Sequence, residues 1–276
     1  SATAQPITNN PGDVVSSDDI DLVVEVIGGV DPAKELVETA LRSGKPVVTA
    51  NKELLAKHGP ELFEQADQES LDLLFEAAVA GGVPLMRVLR ESLKGEPIRR
   101  VMGIVNGTTN YVLSQMTETG MSYSDALDEA QSAGFAESDP SADVEGQDAA
   151  SKAAIIAMVA FGVRLGLSDV TYEGITEVSS EDIEFAKRFG HTIKLLAIAE
   201  NDNGEVAVRV HPAMVPQHHP LASVRDSFNA VFVEGDAVGD LMLYGRGAGG
   251  NPTASAVLGD VIAAAIKNKK KNTLVG

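Results

Sequence analysis

The sequence predicts an α/β protein, in which a partial doubly wound, Rossmann-like nucleotide-binding domain is joined to an α+β domain with an open sheet. Apolar, β-branched runs alternate with helical segments in the first part of the chain, without a hairpin signal between them. Strand-like runs are grouped together in the second part. The predicted domains are residues 1–98, completed by a C-terminal helix at about 246–276, and residues 99–245.

The composition limits the functional classes. With 276 residues, 44% of them hydrophobic, the chain can bury the core of one large domain or two modest ones. The formal net charge of −18 repels phosphate backbones, so we expect no nucleic-acid partner. The absence of Cys excludes disulfides and thiolate nucleophiles, and no apolar run reaches the ~20 residues of a membrane span. We therefore expect a cytoplasmic protein with no membrane partner.

The predicted parallel sheet begins with three near-continuous apolar strands, at residues 21–27, 45–50 and 71–77. A helix connects the first two strands over about residues 32–42, with a proline at its favoured first position. The helix after the second strand is expected to be interrupted at residues 59–60, because proline inside a helix removes a backbone hydrogen bond. These β-α units predict part of a nucleotide-binding fold.

The second domain is predicted to combine helices with a later group of strands. A strand, two helices, an irregular acidic loop and an Ala-rich helix are predicted at 99–105, 108–119, 123–133, 134–146 and 147–165. Strand-like runs and a last helix follow at 191–199, 206–215, 230–234, 241–244 and about 252–267. Strands grouped in this way beside helices are typical of an α+β domain.

One glycine-rich segment formally matches a dinucleotide-binding fingerprint. Gly245, Gly247 and Gly250 have the G-x-G-x-x-G spacing, but no second parallel strand follows the next helix. We therefore do not interpret this segment as that fingerprint, although backbone N–H groups at a helix start still suit an anion. The missing glycine-rich β-α turn leads us to expect that it lies before Ser1 and that the chain is truncated there.

A second segment, at residues 134–152, concentrates acidic side chains before a lysine. Its carboxylates within twelve residues are Glu137, Asp139, Asp143, Glu145 and Asp148. Asp148 and Lys152 are four residues apart and therefore share one helix face. One interpretation is an exposed ion pair that contributes only ~0.3–0.5 kcal/mol. The other is a proton-transferring lysine, held in place by the small and apolar residues around it.

These residues resemble those of the homoserine dehydrogenases, over about residues 21–266. The longest matching stretch, AGFAESDPSADVEGQDAASK at 133–152, has Asp-Pro, then Asp, Gly, Asp and Lys at the spacing of that family. The other matching stretches are VVTANK (47–52), EAAVAGGVP (76–84), GIVNGTTNYVL (103–113) and YGRGAGGNPTASAVLGD (244–260).

The resemblance implies an oxidoreductase that interconverts aspartate 4-semialdehyde and homoserine, in the biosynthesis of threonine, methionine and isoleucine. The second domain would be catalytic and would mediate dimerisation. By resemblance, Lys152 gives the proton to the aldehyde oxygen, or accepts it in the reverse direction. Glu137, Asp148 and Asp143 are implied to bind the substrate, a small amino acid whose ammonium group suits an acidic pocket.

The resemblance also implies bound groups and an assembly. The cofactor is NADP or NAD, and the implied cofactor-binding residues are Gly28, Lys52, Gly134, Glu137, Gly247 and Gly249. A monovalent, sodium-like cation with a structural role is implied at Glu76, Val79, Gly81 and Val83, since all-oxygen ligands suit a hard cation. The expected assembly is a homodimer or homotetramer.

Alternative functions follow from the same features. If the glycine-rich turn is absent, the chain could be a non-catalytic fragment that folds and dimerises but binds cofactor poorly, and we expect no homoserine oxidation by it alone. A phosphorylating semialdehyde dehydrogenase is disfavoured, because that chemistry needs a nucleophilic Cys. No feedback inhibition is expected, because the regulatory domain of many family members has no counterpart before Gly276.

Overall fold

The computed structural model describes residues 7–274, with side chains as far as Lys267. The described residues form two compact units. One comprises residues up to Phe75 and from Val257 onward, and the other is Glu76–Ala256.

The first unit contains a parallel sheet covered by helices, as predicted. Its elements, in chain order, are α1 (Pro11–Ser16), β1 (Val23–Glu25), α2 (Ala33–Arg42), β2 (Val47–Thr49), α3 (Lys52–Gln68) and β3 (Leu73–Leu74). The strand order is β1-β2-β3, with Val24 opposite Val48 and Val48 opposite Leu74. All three residues of β2 are buried, since this central strand is covered on both faces.

Helix α3 differs from its prediction, because it continues through Pro60 instead of being interrupted there. Leu54 and Leu55 before the proline and Leu62 after it are all fully buried. Packing on both sides of Pro60 therefore outweighs the loss of one helical hydrogen bond. The third predicted strand is also shorter than expected, because the chain turns into a 3-10 helix at Glu76–Ala78.

The second unit consists of a six-stranded sheet and the helices that pack on it. Three short helical elements precede its first strand: the 3-10 helix at Glu76–Ala78, α4 (Leu85–Arg87) and a π-helical turn at Val88–Ser92. Its first half then contains β4 (Ile98–Ile104), α5 (Gly107–Thr119), α6 (Tyr123–Ser132), α7 (Ser141–Val144), α8 (Gln147–Phe161), a 3-10 turn at Leu167–Asp169 and β5 (Thr171–Tyr172). Its second half contains α9 (Ser180–Arg188), β6 (His191–Asp202), β7 (Glu205–Pro216), a 3-10 turn at Pro220–Ser223, β8 (Phe228–Gly235) and β9 (Gly239–Arg246). Helix α10 (Gly250–Leu274) begins in this unit and continues in the first.

The strand order of this sheet is β5-β7-β6-β4-β8-β9. All neighbouring pairs are antiparallel except β5 and β7, which are parallel. Helices α5, α8 and α9 pack against β6, and α8 also packs against β7. The mixed sheet confirms the predicted fold class of the second domain.

Two local predictions for this unit are wrong, and one helix was not predicted. The acidic loop at 134–146 is not irregular throughout, because α7 forms within it. Helix α8 ends at Phe161 rather than at 165, since Gly162 adopts a left-handed φ of 65° and its N–H bonds Met158 O. Helix α9 was not predicted, although Ser179 and Asp182 form a capping box at its start.

The unit boundaries also differ from the predicted domains. Residues 76–98 and 246–256, assigned to the first domain from sequence, belong to the second unit. A contact between these two segments accounts for the difference, because the Gly82 N–H donates to Arg246 O at 3.0 Å. Within residues 7–274, no helix combines the length and the apolar character needed to cross a membrane.

Candidate active site

Lys152 is held inside the second unit by two hydrogen bonds. Its Nζ donates to Val105 O and to Asp148 Oδ2, each at 2.8 Å. The side chains of Lys152 and Asp148 are only 12% and 3% exposed. The interpretation as an exposed surface ion pair is therefore wrong, and the lysine is a fixed, nearly buried cation. Its third N–H has no acceptor among the described residues and can serve a ligand.

A network of hydrogen bonds extends from this pair to Asp143. The Asn106 side-chain amide donates to Asp148 Oδ2 at 2.9 Å and to Asp143 Oδ1 at 2.6 Å. The Thr108 hydroxyl lies 3.1 Å from Asp143 Oδ2 and 2.7 Å from Phe135 O, and its single proton can serve one of them at a time. Two of the three predicted substrate-binding carboxylates thus lie in one network with Lys152.

Local sequence explains how these side chains meet. Asn106 caps α5, since its Oδ1 accepts the Thr109 N–H at 2.9 Å. The next residue is Gly107, and a side chain there would be too close to the backbone, because a Cβ would lie 2.9 Å from Ser227 O. Gly146, with a φ of 90°, turns the chain between α7, which carries Asp143, and α8, which carries Asp148. Asn106 and Thr108 were not identified from sequence, although both lie in the GIVNGTTNYVL stretch at 103–113. An Asn between a predicted strand and a predicted helix could have indicated a helix cap there.

The loop that begins at Gly134 contacts this network through Phe135 O, which lies 2.7 Å from the Thr108 hydroxyl. Gly134 has a φ of 78°, and the next residue, Phe135, stacks its ring on Tyr111 at 4.5 Å between centroids. Burial raises the pKa of Tyr111, whose hydroxyl donates to Glu129 Oε1 at 2.9 Å. Glu137 is exposed, and its main-chain oxygen accepts from Gln131 Nε2 at 2.9 Å. Among the described residues, no hydrogen bond joins the Glu137 carboxylate to Lys152 or Asp148.

In the first unit, the predicted cofactor residue Gly28 lies in a turn at the carboxyl end of β1. Gly28 and Gly29 have φ values of 81° and 71°, and a Cβ on either would meet nothing within 4 Å. The 3%-exposed Glu25 accepts the N–H groups of Ile27 at 2.7 Å and Gly28 at 3.3 Å. The Glu25 carboxylate therefore holds the backbone of this turn from the protein interior. The space beside the α-carbons of Gly28 and Gly29 is open. This location, at the carboxyl edge of a parallel sheet, is where α/β folds bind ligands.

Lys52 lies at the same edge of the sheet. It is exposed and is the first residue of α3, which Asn51 caps by accepting the Leu54 N–H at 3.0 Å. The Asn51 amide also donates to Gly29 O at 2.6 Å, so the cap links the start of α3 to the glycine turn. Glu25 and Asn51 were not singled out from sequence, although Glu25 lies within the first predicted strand and Asn51 directly follows the second.

The other predicted cofactor residues, Gly247 and Gly249, lie in the second unit beside the predicted cation loop. A Cβ on Gly81 would lie 2.3 Å from Gly247 O, and a Cβ on Gly247 would lie 2.1 Å from Asn229 Cγ. Gly249 has a φ of 113°. Gly81 and Gly247 are thus packed too closely for side chains, whereas a Cβ on Gly250 would meet nothing within 4 Å. The amide of Asn229 is buried against Gly247, and neither of its polar atoms has a hydrogen-bond partner among the residues that the structure describes.

The predicted cation residues form one short, buried loop. Glu76 is 5% exposed, and its carboxylate accepts the N–H groups of Met86 and Arg87 at 2.8 and 2.9 Å. Val79 and Val83 are buried. Because valine and glycine have no side-chain oxygen, these residues and Gly81 can offer only main-chain oxygens. This donor set, one buried carboxylate and carbonyls, fits a hard monovalent cation. No cluster of three or more His, Cys, Asp or Glu ligands occurs among the residues that the structure describes.

Comparisons with known proteins agree on one family. The family model "Homoserine dehydrogenase" matches residues 84–262, and "Homoserine dehydrogenase, NAD binding domain" matches residues 1–76. The chain is similar to the homoserine dehydrogenase of Corynebacterium glutamicum, with 56% identity over 268 residues, and to that of Bacillus subtilis, with 49% identity over 257 residues. These alignments cover 95% and 93% of this chain, but only 60% and 59% of the relatives.

Solved structures show the same similarity. A homoserine dehydrogenase from Thiobacillus denitrificans superposes with a TM-score of 0.91 at 47% identity, over 95% of this chain and 61% of that one. A hyperthermophilic archaeal homoserine dehydrogenase in complex with NADPH superposes with a TM-score of 0.81 at 32% identity, over 95% of this chain and 77% of that one. The chain thus spans about 60% of the length of the curated relatives that it matches.

Proposed function

The chain belongs to the homoserine dehydrogenase family, and from this membership we propose that it carries the catalytic site for interconverting aspartate 4-semialdehyde and homoserine. One observation supports this proposal above the others. Lys152 is oriented by Val105 O and Asp148, and one of its N–H bonds is left for a ligand. An ammonium group held in this way can deliver a proton to a fixed position.

We propose that Lys152 protonates the carbonyl oxygen as the aldehyde is reduced. A nicotinamide cofactor, when bound, supplies the hydride that forms the new C–H bond at the aldehyde carbon. The carbonyl π electrons become a lone pair on oxygen, which takes a proton from the Lys152 ammonium and leaves a neutral amine. In the reverse direction, the neutral amine would remove the hydroxyl proton of homoserine, and the oxidised nicotinamide, when bound, would accept the hydride from the same carbon. Val105 O and Asp148 Oδ2 keep the Lys152 Nζ in place in both directions.

The α-ammonium group of the substrate is assigned to the carboxylates. Asp143 and Asp148 lie in one hydrogen-bonded network with Lys152. Carboxylates at such a position favour a substrate with a cationic group. Glu137 is proposed as a further contact for the substrate and the cofactor, from the exposed loop that follows Gly134.

We propose NADP or NAD as the cofactor. Gly28 and Lys52, at the carboxyl edge of the first unit's sheet, are assigned to it, as are Gly134, Gly247 and Gly249 in the second unit. The open space above Gly28 and Gly29 supports this assignment, since a ligand can approach the backbone there.

A structural cation is proposed at Glu76, Val79, Gly81 and Val83. The carbonyls and the buried carboxylate on this loop suit a sodium-like ion. If this is correct, thermal unfolding of the protein in sodium chloride occurs at a higher temperature than in tetramethylammonium chloride of equal ionic strength. Equal melting temperatures would remove the cation from the proposal.

A homodimer, or a homotetramer built from it, is proposed through one face of the six-stranded sheet. This face, here called the open face, carries Phe228, Met242 and Tyr244. Met242 and Phe228 are only partly covered there, and Tyr244, stacked on Phe228 at 5.1 Å, is 54% exposed. On the same face, Arg100 pairs with Glu234 at 2.6 Å and Glu200 pairs with Arg209 at 2.6 Å. Alternating charges around an apolar patch suit a second, two-fold related copy.

The proposed reaction is tested by replacing Lys152. In the protein that carries this chain, Lys152→Ala lowers kcat for homoserine oxidation by about 10²–10⁴-fold, the usual contribution of a general acid or base. The dissociation constant of the cofactor stays within about twofold, because Lys152 is not assigned to it. Turnover is followed by the absorbance of the reduced nicotinamide with each cofactor. A loss of less than about tenfold would remove Lys152 from the proton-transfer role.

The 276-residue chain is assayed alone in the same experiment. Homoserine oxidation by it would exclude the alternative of a non-catalytic fragment. Binding of homoserine without turnover would favour that alternative.

A further inference from the structure

Asn106 uses its whole side-chain amide. The Nδ2 group donates both of its protons, to Asp143 Oδ1 at 2.6 Å and to Asp148 Oδ2 at 2.9 Å. The Oδ1 atom accepts from the Thr109 N–H and the Thr109 hydroxyl, each at 2.9 Å. The residue is 4% exposed, so water cannot readily replace these partners.

The orientation of this amide is determined by its partners. If its oxygen and nitrogen were exchanged, the oxygen would face two carboxylates without a proton to share. The nitrogen would face the Thr109 N–H, and only the Thr109 hydroxyl could accept one of its protons. The start of α5 therefore directs the donor end of Asn106 towards Asp143 and Asp148.

Two consecutive residues hold both members of the Lys152–Asp148 pair. Val105 O accepts from Lys152 Nζ at 2.8 Å, and Asn106 Nδ2 donates to the Asp148 oxygen that also accepts from Lys152. The lysine and its carboxylate are thus attached to the junction between β4 and α5, 47 and 42 residues away in the chain. Rotation of Asp148 about its side-chain bonds would break the Asn106 contact.

We propose that Asn106 is a positioning residue, which orients the Asp148 carboxylate and, through it, the Lys152 ammonium group for proton transfer. This inference rests on the proposed function of Lys152. It assigns to Asn106 no contact with substrate or cofactor. The Asn106 amide also bridges Asp143 and Asp148, so it keeps two carboxylates at a set separation around the place where the substrate ammonium is expected.

The capping and positioning roles of Asn106 can be separated by substitution. Serine and aspartate both cap helices well, so Asn106→Ser and Asn106→Asp retain an acceptor for the start of α5. Both variants remove the amide donors, and Asn106→Asp in addition places a third carboxylate against Asp143 and Asp148. We expect Asn106→Ser to stay folded, with a melting temperature lowered by only about 2–8 °C, because the buried carboxylates lose a donor but the cap of α5 is kept.

Turnover is expected to fall although the fold persists. For Asn106→Ser, kcat for homoserine oxidation decreases by about 10- to 100-fold, as for a small misplacement of a catalytic group. Asn106→Asp loses more, because of the added negative charge. The KM for the cofactor stays unchanged in both variants, a split between kcat and KM that simple destabilisation would not produce.

A second measurement does not depend on turnover. Acylation of Lys152 by an amine-directed reagent, followed by peptide mass spectrometry, reports how firmly Nζ is held. We expect labelling of Lys152 in Asn106→Ser to be about fivefold faster, the factor typical of one hydrogen bond. Labelling of the exposed Lys57 in the same samples should be unchanged.

Two control variants distinguish the outcomes. Ser179→Ala removes the cap of α9, which bonds the Asp182 N–H at 3.1 Å, and should lower the melting temperature without changing kcat or Lys152 labelling. Full turnover by Lys152→Ala would overturn the proposed function itself. If Lys152→Ala is inactive but Asn106→Ser retains kcat and labelling within twofold, only the positioning role is wrong. If both Asn106 variants lose stability in proportion to activity, Asn106 is only a cap and the inference is overturned.

Discussion

Lys152 shows how a single side chain acquires a defined chemistry from its neighbours. A lysine on an Ala-rich helix could point anywhere along a flexible four-carbon stem. Here the backbone carbonyl of Val105 and the carboxylate of Asp148 each bind its Nζ at 2.8 Å. Asp148 is nearly inaccessible to water, so this charge-assisted bond is screened little by solvent.

The carboxylates of the acidic segment can be tested one at a time. Glu137→Gln and Asp148→Asn should each raise KM for homoserine by about 10-fold or more, since each removes a charge-assisted bond to an ammonium group. Asp148→Asn should also lower kcat, because this carboxylate holds Lys152. Steady-state kinetics at saturating cofactor measures both effects.

A matched control for these variants lies in the same segment. Asp139 is exposed, and within the described part of the chain it bonds only the N–H and hydroxyl of Ser141, so Asp139→Asn should leave KM unchanged. If Glu137→Gln and Asp148→Asn also left it unchanged, both carboxylates would have to be assigned to structure.

Lys194 is another buried lysine, and the proposed reaction does not use it. It is 2% exposed, and its Nζ donates to Asn110 Oδ1 at 2.9 Å and to Val224 O. Burial lowers the pKa of Lys194 from its ordinary 10.5 to about 8. The nearby charges of Glu118 and Asp226 oppose this shift, and that of Arg225 adds to it.

The lowered pKa of Lys194 predicts a dependence of stability on pH. Between about pH 8 and 10.5 the unfolded chain binds more protons than the folded one, so the unfolding free energy rises with pH in that window. From pH 7.5 to 9.5 this residue should add about 2 kcal/mol. Lys194→Met, which has no titrating group, should lack that increment in urea titrations followed by circular dichroism. An equal rise in the variant would show that other groups cause it.

At the scale of elements, two loops of the second unit pack with no room for side chains. The loop with Gly81 and the segment with Gly247 meet backbone to backbone, and the Gly82 N–H donates to Arg246 O at 3.0 Å. This contact joins the predicted cation loop to the glycine-rich segment that precedes α10. Gly247 therefore has a packing role in addition to any role in cofactor binding.

Substitution of Gly81 tests this contact. Gly81→Ala introduces a Cβ 2.3 Å from Gly247 O and requires a φ of 52° of a residue with a side chain. We expect a loss of at least about 2 kcal/mol in unfolding free energy. Gly95→Ala is the matched control, because a Cβ there meets nothing within 4 Å, and its effect should stay within about 0.5 kcal/mol. Equal stability of the two variants would show that the loops can separate freely.

At the scale of the whole molecule, the open face of the sheet is expected to bind a second copy. Tyr244 and Phe185 are both 54% exposed, but Tyr244 lies on the open face whereas Phe185 lies on α9. Tyr244→Asp should shift the protein towards monomer in sedimentation velocity, because a buried, unpaired charge is costly at an interface. Phe185→Asp should leave the assembly unchanged. If Tyr244→Asp sediments as the parent protein does, the interface lies elsewhere.

Much of the architecture follows from patterns between near neighbours in the chain. Apolar runs separated by helical segments predict the parallel strands β1 and β2, and the spacing of Asp148 and Lys152 places them on one face of α8. These features depend on residues a few positions apart, where backbone geometry alone determines which side chains meet. The stretches that this chain shares with the homoserine dehydrogenases are also local, because each is a run of at most 20 consecutive residues.

The partners of Lys152 could only be decided by the tertiary structure. Val105 and Asn106 lie 47 and 42 residues from the side chains that they bind, and no periodicity in the sequence connects such distant positions. The continuation of α3 through Pro60 likewise depends on burial of leucines on both sides of the proline. Packing of helices on sheets brings distant residues together and can outweigh local preference, because burial of several side chains exceeds the free energy of one backbone hydrogen bond.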